Sequence, residues 1–163
     1  MATAASAMAA RQLASKSSLG DSSVIKRMTS IEVLIPATQQ DRGTFYFPDD
    51  NLLRTKTITG IFVQRQADDT NEITKSCNGY SLIPNAALER MFVTIETDNV
   101  NVIQKVPLSF FAGGSFDRDQ KLLYIRGFNP TKSQITTGDP AGVAAALTDG
   151  VDYAVQILFT YED

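Results

Sequence analysis

The chain has 163 residues, a formal net charge of −3, one cysteine, and neither histidine nor tryptophan. This length suits one domain whose core needs no disulfide or metal. The missing histidine excludes a Ser-His-Asp triad and the commonest metal ligand, and the single Cys77 excludes an internal disulfide. No apolar run approaches the length of a membrane span.

The charge is divided unevenly along the chain. The first thirty residues contain four basic side chains against Asp21, whereas the remainder contains 11 basic and 17 acidic side chains. This division predicts a basic arm on an acidic body. We place the arm at residues 1–28 and a β-domain at residues 29–163.

The arm is rich in alanine and serine and has no aromatic residue. It cannot bury enough apolar surface to offset an ordering cost of roughly 1–2 kcal/mol per residue, so we expect it to be flexible. Three interpretations of the arm remain open. It is a simple tail, a cleaved targeting peptide, or a docking arm that orders against a neighbouring subunit or nucleic acid. Its candidate contact residues are Arg11, Lys16, Lys26 and Arg27.

The first half of the domain predicts several short strands. Ile31, Val33 and Ile35 have the two-residue period of a half-buried strand, which Pro36 ends. Further strands are predicted at residues 44–47, 57–66 (with Gly60 as a bulge) and 77–83, and one helical turn at residues 84–88.

Residues 88–111 predict a central β-hairpin. Met91, Val93 and Ile95 alternate with polar residues, and Asp98-Asn99 marks the turn. Val100, Val102 and Val106 are expected to resume the apolar face, and Pro107 to end the second strand.

The last third contains one short strand, one irregular stretch and one long strand. Residues 121–126 predict the short strand, and residues 131–150 are irregular apart from a short helix at 141–147. Residues 151–161 place six apolar side chains on one face, which indicates a strand inside a sheet. These are Val151, Tyr153, Val155, Ile157, Phe159 and Tyr161.

About eight short strands without a βαβ rhythm predict an all-β, antiparallel β-sandwich. We favour a single jelly roll over an immunoglobulin-like arrangement. The strands are unequal, the connections vary in length, and the Cys…Trp…Cys pattern is missing.

The sequence predicts no catalytic residue, no cofactor and no metal ligand, and hence no enzyme. Asp117 and Asp119 begin like a calcium loop but lack its other ligands and its glycine, so we expect a solvated turn. Asp49-Asp50, the acidic residues at 68–72 and Glu162-Asp163 have the same interpretation. Cys77 has no cysteine or histidine close to it in sequence and is predicted to be a buried, inert thiol.

A basic Ala/Ser-rich arm followed by an acidic β-sandwich that ends in an apolar strand resembles a virion structural protein. More narrowly, the chain is similar to small jelly-roll capsid or penton subunits of bacteriophages. The resemblance implies a self-assembling subunit of a virion assembled in the host cytoplasm, with copies of itself or a major shell protein as partners. The arm's low charge favours docking to protein over genome packaging, with weak nucleic-acid contact as the further expectation.

The alternative function is a ligand-binding β-sandwich, such as an adhesin or a carbohydrate-binding module. It predicts a concave aromatic surface built from Phe45, Tyr46, Phe47, Tyr80 or Tyr124. For the assembly function, the predicted interfaces are the loops at residues 39–43, 48–54, 67–75 and 128–150.

Overall fold

The computed structural model describes residues 27–66, 75–98, 100–113 and 121–163. Of these residues 47% lie in strands and 21% in helices, and the strands form two sheets. The predicted β-sandwich is therefore confirmed at the level of its architecture. Most of the predicted arm, residues 1–26, lies outside the described residues.

The first sheet contains six described strands. They are β1 (Arg27–Ile35), β10 (Tyr153–Glu162), β3 (Thr57–Gln64) and β7 (Ala112–Gly113) in that order, with β4 (Ser81–Leu82) beside β10 and β8 (Lys121–Ile125) beside β3. The second sheet contains, in order, β2 (Thr44–Tyr46), β9 (Gln134–Thr136), β5 (Phe92–Glu96) and β6 (Asn101–Pro107).

Short helices connect the strands. They are α1 (Asn51–Thr55), α2 (Asn85–Leu88), α3 (Leu108–Phe111) and α4 (Pro140–Ala146), with 3-10 turns at Ala37–Gln39 and Pro130–Lys132. No helix in the described ranges is long and apolar enough to cross a membrane.

The long-range pairings are nested within one another. β1 pairs with β10, β2 with β9, β3 with β8, and β5 with β6, all antiparallel. Each pair lies inside the sequence interval that the preceding pair encloses. The chain is therefore connected like one long hairpin whose two arms have been rolled into two facing sheets.

Strand β10 is buried on both faces. Val155, Ile157 and Phe159 belong to the core cluster, while Gln156 and Thr160 on the opposite face are also buried. The strand lies between β1 and β3, which confirms the prediction of a strand inside a sheet. Strand β1 is confirmed as well, although it begins at Arg27, two residues before the expected boundary of the domain.

The central hairpin is confirmed, but the predicted face of its second strand is wrong. Met91, Val93 and Ile95 are fully buried, whereas Val100 and Val102 are exposed. The pairing of β5 with β6 shifts register twice. Lys105 adopts a left-handed φ of 49° in β6, as expected of a bulge that moves the alternation by one residue.

Two elements, β9 and α1, occur where the sequence predicted loops, and α3 occupies the end of the stretch predicted to form the central hairpin. Strand β9 lies between β2 and β5 in the middle of the second sheet. Helix α1 begins after Asp50, whose carboxylate accepts a 3.0 Å hydrogen bond from the Leu53 N–H. The predicted helices at 84–88 and 141–147 are confirmed by α2 and α4. The predicted bulge is confirmed as well, because the pairing of β3 with β10 skips Thr59, next to Gly60.

An aromatic cluster in the core links Phe47, directly after β2 of the second sheet, to Phe159 on β10 of the first sheet. The Phe128 ring centroid lies 6.2 Å from that of Phe47 and 5.6 Å from that of Phe159. Phe128 is 1% exposed and closely packed, so a smaller side chain at this position would leave a cavity.

We expect Phe128→Ala to lower the free energy of unfolding by about 3–5 kcal/mol, because it removes buried contacts and leaves a cavity. Urea unfolding followed by circular dichroism measures this loss. The matched control is Phe110→Ala, since Phe110 is 56% exposed and its loss should cost less than about 1 kcal/mol. Equal losses for both variants would contradict the described core.

Candidate interaction surfaces

Among the described residues, no group of three or more cysteine, aspartate or glutamate side chains could hold a metal ion. Asp49 pairs with Arg54 at 2.8 Å, and Asp50 caps α1, so both have structural roles. Asp117, Asp119 and the acidic residues at 68–72 lie outside the described ranges.

Strand β1 forms one edge of the six-stranded sheet. It pairs with β10 through nine consecutive residues without a register shift, and no other described residue pairs with its outer edge. An open edge presents unpaired backbone N–H and C=O groups to any extended segment that approaches it. Met28 and Leu34 on this strand are 54% and 43% exposed.

A groove of about 370 Å³ runs beside β1. Ser30, Glu32 and Leu34 line it together with the core-facing Ile31, so it lies along the edge of the strand and not over one face. The walls come from two loops, and the remaining lining residues are Pro48, Asp49, Asp50, Asn78 and Tyr80.

A hydrogen-bonded latch fixes the wall that carries Asn78 and Tyr80. The Cys77 N–H donates to Gln156 Oε1 at 3.1 Å, and Gln156 Nε2 donates to Cys77 Sγ at 2.9 Å. The Asn78 N–H donates to Glu32 Oε1 at 2.9 Å. The prediction of a buried Cys77 is wrong: the residue is exposed because its loop lies on the outer face of the sheet.

Glu32 is the one lining carboxylate with a buried oxygen that lacks a partner. Its Oε1 accepts from Asn78, but its Oε2 is buried and has no hydrogen-bond partner among the described residues. A buried acceptor without a donor is unfavourable, but because this oxygen is covered, a ligand can donate to it only if the Glu32 side chain turns towards the groove.

The opposite edge of the same sheet carries a second exposed apolar surface. Leu122 and Tyr124 on β8 are 78% and 59% exposed. The Arg126 guanidinium lies 5.3 Å from the Tyr124 ring centroid, and Lys121 Nζ lies 5.0 Å from that of Phe110. These cations shield part of the aromatic surface from water.

Of the four predicted contact residues, the structure describes Arg27 alone. Its guanidinium lies 3.7 Å from Asp163, which also pairs with Lys56. Arg27 therefore helps to tie the ends of β1 and β10 together. Arg11, Lys16 and Lys26 lie outside the described residues.

The aromatic platform expected of a carbohydrate-binding module is not formed. Phe45 and Phe47 are buried in the core. Tyr46 is exposed on β2 and Tyr124 on β8, which belong to different sheets. Tyr80 alone of the five lines the groove.

The predicted interface loops contain more structure than expected. Gln40 is buried, and its Nε2 donates to the carbonyl oxygens of Thr148 and Val151, which joins two of the loops to each other. The loop at 48–54 forms one wall of the groove and begins α1. Of the loop at 67–75, only Lys75 is described.

No protein-family model, curated protein or solved structure matches the chain.

The Asp163 contact gives a prediction for acid stability. Its hydrogen bond with Lys56, the charge of Lys56 and the weaker charge of Arg27 hold the pKa of Asp163 below its ordinary value of 3.8. A carboxylate with a lowered folded-state pKa stabilises the fold above its unfolded pKa, and this contribution is lost as the pH falls through the folded value.

We therefore expect Asp163→Asn to lower the melting temperature slightly near pH 7 and to have a smaller effect near pH 2. Thermal melts followed by circular dichroism at both pH values measure the difference. Asp41→Asn is the control, because Asp41 is exposed and forms no ion pair with the described residues. An Asp163→Asn effect of the same size at both pH values would contradict this assignment.

Proposed function

We propose that the chain is a jelly-roll structural subunit that assembles with copies of itself, alone or beside a major shell protein, in a virion. The assembly part of the proposal is carried by the open edge of β1, which is nine residues long and unbroken by a bulge or proline. A long edge of this kind is usually shortened, charged, bulged or covered in proteins that remain monomeric.

The nested strand pairing supports the jelly-roll assignment. Without the two-residue strands β4 and β7, the sheets have the orders β1-β10-β3-β8 and β2-β9-β5-β6. Eight strands in two sheets, rolled up from one long hairpin, have the connectivity of two Greek keys. Viral capsid domains are one class built on this architecture, so the virion assignment is an analogy at the level of the fold.

The other edges provide a contrast that favours β1 as the assembly edge. Strand β2 has three residues, and β6 contains the Lys105 bulge and ends at Pro107. Strand β8 has five residues. Each of these edges is shorter than β1 or is interrupted by a bulge or a proline, whereas β1 is nine residues long and contains neither.

The first test is the mass of the full chain in solution by light scattering over a range of concentrations. We expect a discrete oligomer whose mass is a multiple of 17.8 kDa. Electron microscopy of the same sample is expected to show particles of regular size. A chain that stays monomeric at every concentration would refute the proposal.

A substitution at the edge tests the surface itself. Leu34→Lys introduces a charge beside the groove without disturbing the core, and we expect it to raise the dissociation constant of the oligomer by about tenfold or more. Leu122→Lys is the matched control, because Leu122 is more exposed and lies on the opposite edge. Equal effects of the two substitutions would show that β1 is not the assembly edge.

A further inference from the structure

We infer that the groove beside β1 binds part of residues 1–26 from a second copy of the chain as an added β-strand. This inference rests on the proposed function, because it requires the chain to assemble. It identifies the segment that covers the edge and the side chain that recognises it.

The shape of the groove selects an extended segment. The open backbone edge of β1 needs a partner that can form a ladder of hydrogen bonds, and residues 30–34 lie in the groove. At about 3.4 Å per residue, five or six residues of an added strand would span this part of the edge. Backbone hydrogen bonds supply affinity in this mode of recognition, and side-chain pockets supply specificity.

The charge of the groove selects a basic segment. Its lining contains Glu32, Asp49 and Asp50 and no basic residue. Arg54 already pairs with Asp49, and the Asp50 side chain already caps α1. Glu32 accepts a hydrogen bond from the Asn78 N–H but has no ion pair among the described residues, so its charge is the one left for an incoming basic side chain.

Residues 1–26 match both requirements. They carry Arg11, Lys16 and Lys26 against Asp21, and they contain no proline, so every backbone N–H after the first residue can join a ladder. Their many alanine and serine side chains are small enough for a shallow groove. By contrast, β1 of a second copy would bring a second Glu32 to the same edge, which like-charge repulsion disfavours.

The single cysteine allows a direct test in the full chain. Cys77 is exposed, and its Sγ lies 3.7 Å from Oγ of Ser30, which lines the groove. Equal amounts of unlabelled and isotope-labelled protein are mixed, reassembled and treated with a short thiol–amine cross-linker. Mass spectrometry then identifies the lysine joined to Cys77 and the copy from which it comes.

We expect cross-links from Cys77 to Lys16 or Lys26 that join a labelled to an unlabelled peptide. Lys75, two residues before Cys77, supplies an internal control whose cross-links stay within one copy. If the Lys16 and Lys26 cross-links also stay within one copy, the segment folds back on its own chain and the inference is wrong. If they are missing from an oligomeric sample in which the Lys75 cross-link forms, the inference is wrong but the proposed function stands.

A charge-neutral variant tests the recognition of the basic segment. Glu32→Gln keeps the size of the side chain but removes its charge, and we expect it to raise the oligomer dissociation constant by roughly tenfold and to lower the yield of mixed cross-links. Glu89→Gln is the matched control, because Glu89 is exposed and lies after α2, away from the groove. Equal effects of the two variants, or no effect of Glu32→Gln, would overturn the assignment of Glu32.

Discussion

The pairing of β10 with a strand on each side is the constraint on which the rest of the fold depends. A ten-residue strand buried on both faces must have its backbone N–H and C=O groups paired, because water cannot reach them. Strand β1 provides these partners along one side, and β3 and β4 provide them along the other. Bringing the first and last described strands together in this way encloses the whole intervening chain. The other nested pairs of both sheets all lie within that enclosed part of the chain.

The same constraint produces the open edge. Since β1 lies outside β10, one side of β1 is fully paired and the other faces away from the sheet. Its inward side chains, Ile31, Val33 and Ile35, are buried in the core, so the strand cannot move away from the sheet without exposing them. A rigid strand held in this position offers an added strand a preformed partner, and association then needs to order the incoming segment alone. The latch between Cys77 and Gln156 holds one wall of the groove in the same fixed position.

Strands in which apolar residues recur at every second position were predictable from the sequence, because this alternation shows which face of the strand is buried. Strands β1, β5 and β10 are of this kind. The face of β6 was not predictable, because the bulge at Lys105 depends on pairing with β5. Strand β9 has one apolar residue, Ile135, and is a strand because β2 and β5 flank it on both sides. The groove was beyond sequence reasoning for a similar reason: its walls come from segments far apart in the chain, and its edge exists only once the order of the sheet is known.

The distribution of charge has a consequence for the symmetry of the proposed assembly. A two-fold contact between two β1 edges would bring the same carboxylates of both copies into one contact and would leave the basic segments unused. A contact between the segment of one copy and the groove of the next joins two different surfaces and is therefore heterologous. Heterologous contacts form closed rings when the rotation between copies divides a full turn, and open chains when it does not. Residues 1–26 lead into β1 at Arg27, so the distance from Arg27 of one copy to the groove of the next sets how far the segment must extend. This distance therefore bears directly on the number of copies in a ring.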